Sequence, residues 1–162
     1  MLDIKIAKTK QEAKNIGDFL TSSNAFDQTW APAEKKMVQQ APVDSLKFEN
    51  HRYWYIEDDG RVIAAMGVRE NKYGSSGYEM NEDYLAVHQD YRRKGLASKL
   101  LKEVEKFVKE RGGRYIHVLS CDIESYEAAR LFYLENDYEQ VAKIPDYYVK
   151  GEGRIDFFKK IA

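Results

Sequence analysis

The chain is poor in the residues that tie a structure together covalently or punctuate it sharply. Its 162 residues hold one cysteine, Cys121, and three scattered prolines, Pro32, Pro42 and Pro145. One thiol closes no internal disulfide, so an apolar core must carry the fold, and the expected compartment is a reducing one, the cytoplasm. The most apolar run, Val62 to Val68, is seven residues with Gly67 inside it, against the roughly 20 that a membrane helix needs. The opening Met1-Leu-Asp-Ile-Lys-Ile-Ala alternates like a strand, and no targeting segment is expected from it. Neither charge prevails: 26 Lys and Arg stand against 27 Asp and Glu, a formal net charge of -1. That balance gives no global attraction to nucleic acid or to a membrane surface. No repeat, low-complexity tract or Pro/Gly/Ser-rich linker interrupts the chain, which reads as one domain over residues 1–162.

Several chemical signatures are missing too. There is no Gly-x-x-x-x-Gly-Lys-Ser/Thr, no Gly-x-Gly-x-x-Gly and no Gly-x-Ser-x-Gly, so the common nucleotide-binding loops and the hydrolase elbow are excluded. His51, His88 and His117 show no ligand spacing with Cys121, and no metal site is expected. His117 and Cys121, four apart on a strand, would lie about 13 Å from one another, too far for a thiolate–imidazole pair.

What is present is periodic. Asp3 to Ala7 reads as a strand and Lys10 to Ser22 as a helix, with Ala13, Ile16, Phe19 and Leu20 on one stripe. A second helix is expected from Pro32 through Gln40, stopping before Pro42. Arg52 to Glu57 and Arg61 to Glu70 form a hairpin about Asp58-Asp59-Gly60, and Tyr78 to Val87 a further strand. Leu96, Ala97, Leu100, Leu101, Val104, Phe107 and Val108 recur at helical spacing until Gly112-Gly113. Tyr115 to Ser120 reads as a buried strand and Ser125 to Glu135 as a helix. Tyr138 to Ile144 and Arg154 to Lys160 close the chain as strands around an Asp146-Tyr147-Tyr148 loop. The order argues a mixed-sheet α+β fold. Twelve tyrosines, seven phenylalanines and two tryptophans supply contact area with polar tips, and Phe26 to Trp30, Tyr53 to Tyr55 and Tyr147-Tyr148 are candidate pocket linings as well as candidate packing.

The most informative stretch is Tyr91-Arg92-Arg93-Lys94-Gly95-Leu96-Ala97-Ser98, between a strand and an amphipathic helix. Unpaired amides at a helix start, a small Gly95 and a basic turn suit a pyrophosphate. The charge, balanced overall, is divided along the chain. Residues 92–114 carry nine Lys/Arg against three Asp/Glu, while residues 50–91 carry four against eight.

Together, Leu85-Ala86-Val87, Arg92-Arg93-Lys94-Gly95-Leu96-Ala97 and Leu100-Leu101 resemble the acetyl-CoA loop of the GNAT superfamily of N-acetyltransferases, Arg/Gln-x-x-Gly-x-Gly/Ala. Ala129-x-x-x-Tyr133, ending at Tyr138, is similar to the family's later motif. The likeness runs from about residue 53 to 140. It departs at Tyr126, where the family often has Asn, and at Asn136-Asp137-Tyr138 in place of Leu-Gly-Phe. Asn and Asp tolerate the left-handed backbone that such a turn requires.

The resemblance implies a mixed, mostly antiparallel central sheet flanked by helices, acetyl-CoA as co-substrate, and direct transfer to a primary amine of a small molecule or protein. It places the cofactor on Leu85, Ala86 and Val87, on Arg92, Arg93, Lys94, Gly95, Leu96, Ala97 and Ser98, and on Tyr126. It makes Tyr133 the acid for the departing thiolate, since phenol and thiol pKa values lie within roughly two units. Alkyl amines are mostly protonated at neutral pH, so a base is needed. Asp83, on the face shared by Glu79, Asn81, Leu85 and Val87 of an unbroken strand, is the first choice. A silent acyl-CoA or peptide-binding module on the same fold is the competing reading, motivated by Tyr126. A nucleic-acid binder is disfavoured because Glu103, Glu105 and Glu110 interrupt the basic helix. A homodimer is left open.

Overall fold

Period-two and period-3.6 patterns become eight strands and four helices in a computed structural model that describes residues 2–26 and 28–162. In chain order these are β1 (Ile4–Ile6), α1 (Lys10–Leu20), α2 (Glu34–Asp44), β2 (His51–Asp58), β3 (Arg61–Glu70), β4 (Gly77–Met80), β5 (Leu85–Val87), α3 (Leu96–Glu110), β6 (Tyr115–Cys121), α4 (Glu127–Glu135), β7 (Glu139–Val149) and β8 (Glu152–Lys160). Local chemistry sets most of the boundaries. Thr9 and Glu12 form a capping box at the start of α1, Oγ1 of Thr9 accepting from the Glu12 amide and Oε1 of Glu12 from the Thr9 amide, each at 3.1 Å. The β2–β3 hairpin turns on Asp59 and Gly60 at φ 51° and 72°, the two positive angles that match strand twist in a two-residue turn.

Three expectations need correction. Pro42 lies inside α2 rather than beyond it. Its ring is buried and Asp44 ends the helix two residues later, so only the last turn bears the missing N–H. Tyr78 to Val87 is two short strands, with residues 81–84 between them. Asp146, Tyr147 and Tyr148 belong to β7, whose register against β8 is irregular between Ile144 and Val149. By contrast Asp137 takes φ 68° after α4, as its side chain permits.

The sheet runs β1-β2-β3-β4-β6-β8-β7, with β5 also beside β3, and β4–β6 is its parallel pair. α3 and α4 cover one face, where Leu100, Leu101, Val104 and Tyr133 meet Ile116, Val118, Ile155 and Phe157. α1 and α2 cover the other, where Ile16, Leu20 and Val38 meet Tyr53, Tyr55 and Ala65. Each fully buried aliphatic or aromatic side chain in these layers contributes about 1.5–3 kcal/mol. No helix of the described residues is long and apolar enough to cross a membrane.

The defect that matters is central. β4 pairs with β6 from Gly77/Tyr115 to Met80/Val118 and then leaves it. Between Arg69/Glu79 and Met66/Leu85, β3 advances from 69 back to 66 while the facing chain advances from 79 to 85. These extra residues form a wide bulge that turns the chain out of the sheet. Beyond it β5 pairs with β3 and the end of β6 pairs with β8. The ladder is therefore open between residues 81–87 and residues 119–123, leaving a gap.

Candidate active site

One wall of the gap is backbone. The His88 amide donates to the Ile63 carbonyl at 2.7 Å, so alternation along the strand turns the amides of Leu85 and Val87 away from β3 and into the gap. Leu85 and Val87 set their side chains against the α3 layer, and Ala86 is buried among the α1 and α2 residues. The opposite wall is held by Arg130 of α4, whose Nη1 donates to the carbonyls of Cys121 and Ile123, each at 2.8 Å. Nothing in the sequence motif pointed to Arg130. Only the fold brings it to the end of β6.

At the mouth, Arg93 and Gly95 take φ 64° and 76° and lead into α3. Gly95 is the N-cap and supplies no side-chain bond. The first helical bond is Lys99 N–H to the Gly95 carbonyl at 3.2 Å; the Lys94 amide closes the turn through Arg92 and Arg93, and the amides of residues 95–98 find no acceptor among the described residues. A side chain at Gly95 would enter open space, with nothing within 4 Å, and would hold a conformation that L residues rarely adopt. Free amides, a helix start and clear space over a glycine together make an anion cradle.

The basic side chains there are less uniform than their sequence suggests. Arg92 is committed elsewhere: Nε donates to the Val87 carbonyl and Nη2 to the Ala25 carbonyl, both at 3.0 Å. It fastens the loop to β5 and to the α1–α2 segment. Lys94 lies over the Tyr91 ring at 5.4 Å, and Arg93 is exposed.

Tyr133 sits in the layer beneath the gap, 6% exposed, ringed by Phe132, Tyr138 and Phe157 at centroid distances of 5.3, 5.6 and 5.6 Å. Its hydroxyl has no partner among the described residues, yet it is not among the fully sealed polar atoms. Burial pushes its pKa up, so it stands protonated as a donor. Tyr126 differs. Its hydroxyl donates to Gln28 Oε1 at 2.8 Å and burial pushes its pKa up to about 12. That bond ties Tyr126 to the α1–α2 segment.

Asp83 is not where a base must be. It is 1% exposed, in the bulge rather than on a continuous strand. It accepts from Arg69 Nε at 2.7 Å and Nη2 at 3.1 Å, and lies 2.8 Å from His51 Nε2. Burial alone would raise its pKa, but the hydrogen bonds from His51 and Arg69 outweigh it and hold the carboxyl below the usual range. A sealed, ion-paired, weakly basic carboxylate accepts no proton from a bound amine. Its work is to pin the bulge that opens the gap.

The far side of the gap is aromatic and acidic. Trp30 stacks on Tyr84 at 6.2 Å, Phe26 meets both edge-on, and the Tyr84 hydroxyl donates to Glu34 Oε2 at 2.8 Å. Tyr53 and Tyr55 are instead buried in the core. Tyr147 and Tyr148 are about half exposed, and the Tyr148 hydroxyl donates to the Ser120 carbonyl at 3.2 Å. A polar chain that the spacing did not reveal runs below: Asn81, His117, Asp156 and Arg154. Cys121 is buried, and burial pushes its thiol pKa up, away from a reactive thiolate. Two surface hollows of about 280 and 340 Å³ lie elsewhere, lined by residues such as Phe48, His51, Arg69 and Arg111.

A family model described as the acetyltransferase (GNAT) family matches residues 20–138. Among curated proteins no relative matches the sequence. Solved structures do. An acetyltransferase assigned to the GNAT family from Desulfovibrio desulfuricans superposes with a TM-score of 0.83 at 19% identity, covering 100% of both chains. An aminoglycoside 6'-N-acetyltransferase complexed with coenzyme A gives 0.75 at 17%, covering 99% of this chain and 97% of that one. The ribosomal-protein-S18-alanine N-acetyltransferase from Escherichia coli gives 0.75 at 17%, covering 100% and 95%. At these identities the structures establish a shared fold.

Proposed function

Because the chain belongs to the acetyltransferase (GNAT) family, we propose that it transfers an acetyl group directly from acetyl-CoA to a primary amine. The observation that carries this reading is the run of amides at residues 95–98 without a partner among the described residues, above open space at Gly95, at the mouth of a gap lined by strand amides. When bound, acetyl-CoA supplies the acetyl group as a thioester together with a thiol as leaving group.

The amides from Gly95 to Ser98 hold the pyrophosphate, with Arg93 and Lys94 adding charge at the rim. The inward amides of Leu85 and Val87 hold the pantetheine arm and polarise the acetyl oxygen. Tyr133, protonated and without a hydrogen-bond partner among the described residues, gives its proton to the departing sulfur. Phe26, Trp30 and Tyr84, with Glu34, receive a cationic acceptor, combining aromatic faces with a carboxylate. Two structural relatives are named for amine acceptors, an aminoglycoside and a protein alanine, and both acceptor classes suit this side of the gap.

A panel of small amines, aminoglycosides and peptide N-termini, followed by CoA release from acetyl-CoA, tests the proposal. Acceptor-dependent release is expected for at least one cationic amine. Tight acetyl-CoA binding with no acceptor-dependent release across the panel would replace the enzyme with a silent binding module.

A further inference from the structure

With Asp83 sealed in the bulge, the proton of an acceptor ammonium has no taker on the bulge carboxylate. Resting on the acetyl-transfer reading, we propose that His117 accepts that proton on Nδ1, directly or through a water, with Asp156 orienting the ring and Asn81 answering its change of charge.

β6 alternates its side chains: Ile116 and Val118 enter the layer under α3, so His117 points to the opposite face, beside Glu79 of β4 with which it is in register. It lies one residue before Val118, where β4 and β6 part, and keeps 24% of its side chain exposed. Its Nε2 is 2.8 Å from Asp156 Oδ2. Asp156 is fixed in turn by Arg154, whose Nε and Nη2 donate at 2.7 and 2.9 Å. Burial would raise the Asp156 pKa, but the hydrogen bonds from Arg154 and His117 outweigh it and keep the carboxyl low and ionised. An ionised carboxylate accepts the Nε2 proton, which leaves the lone pair on Nδ1.

Nδ1 faces Asn81, the first residue past β4, at 3.5 Å from Nδ2. The Asn81 Oδ1 is sealed and has no partner among the described residues, and a buried acceptor left unmet is destabilising. Rotating the amide by half a turn exchanges its ends. It then presents Oδ1 to an Nδ1 that has gained a proton, so the missing hydrogen bond forms when His117 is charged.

The other groups facing the ring are Glu79 on β4, whose carboxyl burial pushes up, and Arg154 on β8 with Tyr147 of β7 stacked at 5.0 Å from it. Arg69 and Glu82 lie beyond Glu79. In the step itself an N–H bond of the ammonium breaks and the proton joins Nδ1. The amine attacks the acetyl carbon with the freed electron pair, the C–S bond breaks as the sulfur takes the Tyr133 proton, the nitrogen's surplus proton restores Tyr133, and the imidazolium later returns its own proton to solvent.

The test compares wild type, His117→Gln and Glu79→Gln with two acceptors, benzylamine, an ammonium at neutral pH, and aniline, a free base there. His117→Gln should lower kcat with benzylamine about 100-fold and with aniline less than about 3-fold. It should leave acetyl-CoA affinity by calorimetry unchanged and erase the acidic limb of the kcat–pH profile. Equal loss on both amines, no loss, or an acidic limb erased instead by Glu79→Gln would overturn the proposal. Nitrogen NMR of the wild-type imidazole decides without turnover: the Nε2–H tautomer supports it and the Nδ1–H tautomer overturns it. A wild type that acetylates no amine counts against the acetyl-transfer reading alone.

Discussion

The two sides of the gap are built by different means. The donor side, residues 85–98, is one continuous stretch whose chemistry lies in backbone amides: two facing inward from β5 and a run at the start of α3. The acceptor side is assembled from side chains remote in sequence, such as Tyr126 on Gln28, Tyr84 on Glu34 and His117 on Asp156. A backbone site tolerates exchange of most side chains yet fails when a conformation is lost, whereas a side-chain site can change partner specificity one residue at a time. Perturbing each side should therefore move different measurements.

The largest effect is expected where the two sides share a hinge. Asp83→Asn leaves Arg69 and His51 facing a neutral amide in a sealed position, and thermal or urea unfolding should show a loss of about 3–5 kcal/mol. His51 and Arg69 hold the folded Asp83 carboxyl below its ordinary value of about 3.9. Its contribution is thus full above that value and lost as pH falls through the folded one, so the gap between wild type and variant should narrow in acid. A gap that is constant with pH would detach the stability from the ion pair.

Next is the donor side alone. Gly95→Glu forces a carboxylate side chain onto φ 76°, and calorimetry should show acetyl-CoA affinity weakened by at least about 100-fold. Undiminished binding would remove the amide cradle from the account. Tyr133→Phe should lower kcat about 10–100-fold while shifting acetyl-CoA affinity less than about twofold. An unchanged rate would return Tyr133 to the core. The smallest effect belongs to the acceptor side: Trp30→Ala should raise the acceptor KM about 3–10-fold with the acetyl-CoA titration unmoved. A parallel loss of acetyl-CoA binding would erase the distinction between the two sides.

Legibility in the sequence follows the same division. Gly95, the helix from Leu96 and the hairpin at Asp59-Gly60 are local events, decided by backbone geometry and apolar period, and all could be read directly. The bulge could not. Residues 81–84 alternate plausibly as strand, and only pairing with β3 reveals that the chain has too many residues for its partner. The pairing takes Asp83 off an exposed sheet face and seals it. The carbonyls that Arg92 binds, Val87 and Ala25, leave no trace in a motif. The spacing of His117 from Cys121 says nothing of its partner, Asp156, which comes from a strand and lies 39 residues away in the chain.

The central claim is that backbone amides of β5 and the α3 start receive acetyl-CoA. Amide NMR during an acetyl-CoA titration reads it most directly. The account predicts the largest shifts at Leu85, Val87 and residues 93–98, with Phe48, Glu49 and Arg111 beside the distant hollows unmoved. Shifts concentrated at those hollows, or silence from residues 93–98 while acetyl-CoA binds, would contradict it.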